Sequence, residues 1–95
     1  MPYIPPGQRS QLDPAIRRLA DQIRAHHDGQ SNASIAGILN YAVTRLVLDA
    51  MKPSRYHDIA LVTGVLENVK QEFYRKFAAP YEEEKIKENG PVYPS

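Results

Sequence analysis

Apolar residues recur every three or four positions along most of the chain, which is the period of an amphipathic α-helix. The longest such run lies within residues 55–89 and predicts one helix there. Its apolar stripe consists of Ile59, Val62, Leu66, Val69, Phe73 and Phe77. Ser54 is suited to cap the start of this helix, and Gly90 followed by Pro91 is a strong stop signal.

Pro80 interrupts this long run. Proline lacks an N–H group, and its ring clashes with the carbonyl group four residues earlier, which is that of Lys76. We therefore expect the third helix to kink near residues 78–80 or to break into two helices there.

Two shorter runs precede the long one. Asp13 as N-cap and Pro14 at the first helical position predict a first helix over residues 14–28. The next run predicts a helix over residues 34–51, whose apolar positions cover more of its circumference than a surface helix needs. The short connection at residues 52–54 predicts that the second and third helices are antiparallel neighbours.

The two ends of the chain are rich in proline. Three prolines within the first six residues favour an extended arm over residues 1–12, and residues 91–95 form a short tail. One helical domain covers residues 13–90. The predicted fold is all-α: a small antiparallel three-helix bundle, with the third helix long and kinked near Pro80, and an extended Pro-rich N-terminal arm.

Composition limits the core and the classes of chemistry. A chain of 95 residues with 42% apolar residues forms one domain with a modest core, so other chains can supply further burial. The absence of cysteine excludes disulfides, thiolate nucleophiles and cysteine-based zinc sites. There is no basic and apolar leader, and no stretch approaches the ~18 apolar residues of a membrane-spanning helix. We therefore expect a soluble protein that is not secreted and has no membrane partner.

Charge is uneven along the chain, although the formal net charge is only +1. Basic residues outnumber acidic ones up to His57, and the reverse holds from Asp58 onward. Opposite charges of this kind can pair head to tail between copies of the chain, while solvated helix faces are the simpler account. No helix is basic enough to be a recognition helix, so duplex nucleic acid is not an expected partner.

Polar side chains interrupt the apolar pattern of the second and third helices. If two such strips face each other, one outcome is a hydrogen-bonded network or ion pair, such as Arg45 with Glu67 or Glu72. The other outcome is a pocket in which cations neutralise a phosphate and an aromatic ring stacks on a base. The candidate ligand-binding residues for such a pocket are Asn40, Tyr41, Arg45, Tyr74, Arg75, Lys76 and Tyr81.

Catalytic and metal-binding patterns are weak. His26 and His27 are adjacent, so their rings diverge by about 100° on a helix. Glu67 and Glu72 diverge by about 140°, so they cannot share one Mg²⁺ ion as the paired carboxylates of all-α nucleotide pyrophosphohydrolases do. We predict no catalytic residue, no metal ligand and no cofactor, which favours a binding protein over an enzyme without excluding the enzyme.

Several segments resemble a known family. They are residues 39–46 (LNYAVTRL), 64–67 (GVLE), 72–76 (EFYRK), 79–82 (APYE) and 85–93 (KIKENGPVY), together with the MPYIPP start. These segments are similar to a family of short uncharacterised proteins from tailed phages and bacteria. The resemblance spans nearly the whole chain and carries no activity. It implies a phage or prophage accessory protein that works in a bacterial cytoplasm.

These observations lead to a functional expectation with two alternatives. We expect a non-enzymatic, oligomeric, phage-type accessory protein that binds a small anionic, nucleotide-like ligand between its helices. By analogy with other small oligomeric phage proteins, sequestering such a ligand would blunt a bacterial defence signal. The alternatives are a protein–protein interaction module that acts on a host protein, and a metal-dependent all-α nucleotide pyrophosphohydrolase.

Assembly is the first testable expectation. The broad apolar circumference of the second helix, the modest core and the N-terminal arm all favour a homo-oligomer, at least a dimer. Light scattering at micromolar concentration should therefore give at least twice the 10.7 kDa mass of one chain. A well-folded monomer under those conditions would contradict this expectation.

Overall fold

The computed structural model describes residues 2–26 and 32–94, and within these ranges it contains helices and no strand. The elements in chain order are α1 (Pro6–Ala25), α2 (Asn32–Met51), α3 (Tyr56–Phe73), a π-helical segment (Tyr74–Ala78) and α4 (Ala79–Asn89). Because α3, the π segment and α4 follow one another without a break, they form the single long third helix that the apolar pattern predicts. The all-α class is confirmed.

The first helix starts earlier than predicted. α1 begins at Pro6, and Pro14 lies inside it, so the extended arm shrinks to the residues before Pro6. Pro6 occupies the first helical position, where a missing N–H group costs nothing. The carbonyl group of Pro5 then accepts hydrogen bonds from the N–H groups of Gln8 (3.0 Å) and Arg9 (3.2 Å), which starts the ladder of α1.

The end of the first helix is described only in part. α1 ends at Ala25, and the next N–H group, that of His26, donates to the carbonyl oxygen of Ile23 at 3.2 Å. The predicted end at residue 28 lies outside the described residues. The second helix begins at Asn32, two residues before its predicted start, and ends at Met51 as predicted.

A carboxylate caps the start of α3. The Asp58 carboxylate accepts hydrogen bonds from the N–H group of Ser54 (3.2 Å), the Ser54 hydroxyl (3.3 Å) and the N–H group of Arg55 (3.2 Å). The Ser54 hydroxyl thus donates here, instead of accepting as the predicted cap would. These hydrogen bonds, led by the one from the Ser54 backbone, lower the pKa of Asp58.

The chain passes Pro80 without a break. In the turn before it, the N–H group of Ala79 donates to the carbonyl oxygen of Tyr74, five residues earlier, which is the π-helical pattern. The π-helical segment thus lies directly before the position at which a proline disturbs a regular helix. On the same stretch the rings of Phe73 and Phe77 stack, with centroids 5.3 Å apart and planes 6° from parallel.

The chain divides into two compact units. They are an N-terminal unit (Pro2–Val62) and a C-terminal unit (Thr63–Ser95). In the N-terminal unit α1 packs against α2, and Ile23 lies at their contact. Ile23, 8% exposed, is the one buried side chain among the described residues of the whole chain. In the C-terminal unit α4 contacts the π segment. The antiparallel arrangement of all three helices stays a prediction.

Apolar side chains of the C-terminal unit face solvent. We call Leu66, Val69, Phe73 and Phe77 the C-terminal stripe. These side chains are 43%, 59%, 62% and 72% exposed, respectively. Full burial of one such side chain contributes about 1.5–3 kcal/mol. Most of that stabilisation is therefore still available to a surface that covers the stripe.

The Asp58 cap predicts a sensitivity to acid. Because the pKa of Asp58 is lowered in the folded chain, its stabilising effect is present above the unfolded pKa and disappears as the pH falls through the folded value. We expect Asp58→Asn to lower the melting temperature at neutral pH and to flatten its decline in acid, as followed by circular dichroism. Asp21→Asn, a change in the middle of α1, serves as the matched control and should leave the curve unchanged. Identical acid transitions for Asp58→Asn and the unaltered chain would refute the cap.

Candidate functional site

The seven candidate ligand residues fall into two clusters, one in each unit. The α2 cluster contains Asn40, Tyr41 and Arg45. The π cluster contains Tyr74, Arg75, Lys76 and Tyr81, the last on α4. Tyr41 and Arg45 lie one turn apart on one face of α2, whereas Tyr74, Arg75 and Lys76 are consecutive and point in different directions around the helix.

The α2 cluster is bonded along its own helix. The Arg45 guanidinium donates to the Tyr41 hydroxyl at 3.3 Å, and it lies 3.7 Å from the Asp49 carboxylate. The Asn40 carbonyl oxygen accepts from the Thr44 hydroxyl at 2.8 Å. Tyr41 is 63% exposed, so its ring is available to a ligand. An incoming phosphate would have to compete with Asp49 for Arg45.

A groove between α1 and α2 lies beside this cluster. Its volume is about 370 Å³, and it belongs entirely to the N-terminal unit. We call it the α1–α2 groove. Its apolar floor consists of Leu19, Ile23, Ile38, Ala42 and Leu46. Its polar rim consists of Gln22, His26, Tyr41, Arg45 and Asp49. The rim carries both signs of charge, from Arg45 and Asp49. Because Tyr41 and Arg45 belong to the α2 cluster, this cluster lies at the rim of the groove.

Sequence reasoning missed the contribution of α1 to this groove. The His26 ring nitrogen Nδ1 donates to the carbonyl oxygen of Gln22 at 2.8 Å, which fixes the imidazole at the groove rim. The available signal was the position of Leu19 and Ile23 on one stripe of α1, one turn before His26. That stripe predicts a packed face, but it does not show which α2 residues it meets.

The π cluster is also paired locally. The Arg75 guanidinium donates to the Glu72 carboxylate at 2.7 Å, and the Glu72 side chain is 17% exposed against 64% for Arg75. The Lys85 ammonium lies over the Tyr81 ring, 5.5 Å from its centroid. Lys76 has no ion pair within residues 2–26 and 32–94. The π cluster thus offers one unpaired cation beside one paired cation.

A second concavity, of about 660 Å³, lies in the C-terminal unit. Tyr74 lines it together with residues of α4 and of the tail. The charged residues in its lining are Glu82, Glu83 and Lys85. Two carboxylates against one ammonium make this concavity a poor environment for an anion.

Carboxylates on the long helix have other partners. The Glu67 carboxylate accepts from the Gln71 amide at 3.2 Å and lies 3.7 Å from the Lys70 ammonium. Where the chain is described, no three His, Asp or Glu side chains lie close enough together to hold a metal ion. The alternative of a metal-dependent pyrophosphohydrolase therefore gains no support from the described geometry. The predicted pairing of Arg45 with Glu67 or Glu72 stays a prediction.

Comparison with known proteins gives one match. A family model described as a domain of unknown function (DUF6899) matches residues 1–92. No curated protein and no solved structure shows a significant match. Among the described helices, none combines the length and the apolar run that a membrane span requires. The match agrees with the expected resemblance to an uncharacterised family, while origin in phages or bacteria stays a prediction.

Proposed function

The chain belongs to this family of unknown function, and we propose that it acts as a non-enzymatic binding protein whose apolar helical faces dock onto other protein chains. The observation that carries the proposal is the exposure of the C-terminal stripe, which reaches 72% at Phe77. Monomeric proteins rarely expose contiguous apolar patches larger than a few hundred Å², and larger ones mark interaction sites. The stripe extends over three turns of helix, which is an extended patch of this kind.

The surroundings of the stripe resemble a protein interface. Phe73 and Phe77 stack at its C-terminal end, and large aromatic side chains are typical anchors of binding energy. Charged pairs of the same helix border it, namely Lys70 with Glu67 and Arg75 with Glu72. An apolar centre with a polar, solvated rim is the usual anatomy of a protein–protein contact.

We infer a working environment from the sequence resemblance. A phage-type accessory protein would meet its partner in the bacterial cytoplasm, and that partner would be a host protein with an apolar groove able to accept a helix. The formal charge of +1 gives no general attraction to nucleic acid, which agrees with a protein partner.

Stripe substitutions test this proposal. Phe73→Ser combined with Phe77→Ser should weaken binding to a purified partner by at least about tenfold, because both anchors are lost. The partner is first recovered from bacterial lysate on the unaltered chain, then purified and titrated by calorimetry. Asn68→Ser is the matched control, since Asn68 lies on the far side of α3. Equal affinities of the stripe variant and the control would overturn the proposal, provided that circular dichroism shows equal helix content.

A second candidate function is the binding of a small anionic, nucleotide-like ligand. The observation that favours it is the π-helical segment, which carries three candidate residues: Tyr74, Arg75 and Lys76. π-helical turns inside α-helices occur frequently at functional sites. The unpaired Lys76 and the exposed Tyr74 ring supply the cation and the aromatic face that such a ligand needs. Sequestering a nucleotide signal would be the counter-defence role of this candidate.

Two single substitutions, Arg75→Ala and Lys76→Ala, test whether the chain binds a nucleotide-like ligand. Each should abolish the rise in melting temperature that a bound nucleotide causes. Each should also leave the free energy of unfolding within about 1 kcal/mol, because Arg75 and Lys76 are both exposed and surface substitutions usually change stability little. Lys70→Ala, one turn before the cluster, is the control and should keep the thermal shift. If native mass spectrometry recovers no small anion and a panel of linear and cyclic nucleotides gives no thermal shift, this candidate is refuted.

A further inference from the structure

We propose that the C-terminal stripe of one copy binds in the α1–α2 groove of a second copy, so that the chain assembles through two different surfaces. This inference rests on the proposed function in one respect, which is that the stripe binds protein. It adds the identity of one partner and the surface that receives the stripe. Four observations carry it: the spacing of the stripe, the chemistry of the groove, the charges that flank the two surfaces, and the area they offer.

The stripe has the spacing of a helix that binds in a groove. Leu66, Val69, Phe73 and Phe77 follow one another at intervals of three, four and four residues. Such recognition uses anchors at positions i, i+3, i+4 and i+7 of an amphipathic helix. The side chains are large and at least 43% exposed, so they can leave water without rearrangement of their own unit.

The groove has the complementary shape and chemistry. Its floor is formed by aliphatic side chains from both walls, and two of them, Leu19 and Leu46, are 38% and 57% exposed. Its volume of about 370 Å³ suits large side chains rather than a few ordered waters, since a water occupies only about 30 Å³ in the liquid. An apolar floor that is open to solvent gains stability from an apolar occupant.

The helices next to the two surfaces, α1 and α4, carry net charges of opposite sign. α1, one wall of the groove, carries four arginines against two aspartates. α4, which follows the stripe, carries four glutamates against two lysines. A helix that enters the groove brings the acidic α4 toward the basic α1 of the other copy. Complementary charges of this kind favour correct orientation and faster association.

Two contacts of this kind bury enough area for a stable assembly. Each copy carries both the stripe and the groove, so each copy can take part in one contact through each surface. One contact of a three-turn stripe buries on the order of several hundred Å² on each side. Two such contacts reach the range of roughly 1,200–2,000 Å² in total that stable interfaces bury.

Single cysteines provide the test, because the natural chain has none. One preparation carries Leu46→Cys in the groove, and a differently tagged preparation carries Phe73→Cys in the stripe. After mixing, a short bis-maleimide should link the two different chains at least about fivefold more than it links Leu46→Cys to the control Asn68→Cys. Light scattering on the unaltered chain should show a dimer that Leu46→Glu converts to a monomer.

Three outcomes would overturn the inference. Linkage of Phe73→Cys only to itself would mean that stripes pair with each other. Efficient linkage of both cysteines within one chain, in a double variant at high dilution, would mean that the chain fills its own groove. Absence of linkage together with a monomeric mass would exclude self-association. In all three cases the partner titration with the stripe variant still decides the proposed function, because that measurement does not use the groove.

Discussion

Burial of apolar side chains between helices is the interaction on which the rest of this structure depends. Holding one residue in a helix costs about 1–2 kcal/mol of backbone entropy, and helices in proteins recover that cost largely by packing an apolar face. In the N-terminal unit, α1 and α2 supply such a contact around Ile23. In the C-terminal unit the corresponding face is exposed. The stability of this half of the chain therefore depends on the surface that covers it.

Continuity of the third helix is the second constraint, and Pro80 is the position where it could fail. A regular α-helical turn would set the proline ring against the carbonyl group of Lys76. The helix passes this position through a π-helical turn, and the stripe continues to Phe77. Ion pairs three residues apart support the same helix, although each contributes only a few tenths of a kcal/mol. Local interactions thus support the helix, while the main stabilisation of helices in proteins comes from packing of an apolar face.

The features that the sequence predicted well are local ones. The period of apolar residues predicted the number of helices and the positions that form the stripe of the third one. A stripe of this period usually faces a core, whereas its side chains from Leu66 to Phe77 are exposed in this chain. The stop at Gly90 was also predictable, because its φ of 88° suits glycine, and its N–H group donates to Ile86 at 2.8 Å. The start of α1 was missed because Pro6 and Pro14 both satisfy the rule for the first helical position. The cap of α3 was assigned to Ser54 because hydroxyl caps are common, whereas the carboxylate of Asp58 reaches back to the same turn.

In the candidate site, contacts within one helix were predictable and contacts between helices were not. Polar residues at helical spacing, such as Tyr41 and Arg45, were identified, and the structure brings them into contact. The groove next to them depends on which face of α1 meets α2, and a pattern within one helix carries no information about its neighbour. Gln22 and His26 were therefore not expected at its rim. Arg45 also pairs with Asp49 on its own helix, a contact that its i, i+4 spacing allows and that was not singled out.

The exposed stripe also has a consequence for the life of the protein in a cell. Binding stabilises a folded chain by mass action, so the fraction that is protected rises with the concentration of whatever covers the stripe. Chains left without a cover expose apolar side chains, and chaperones and proteases act on marginally stable chains. If the proposed binding surface covers the stripe, we expect the amount of this protein to follow the supply of that surface as much as its own synthesis, and any excess over that supply to be short-lived.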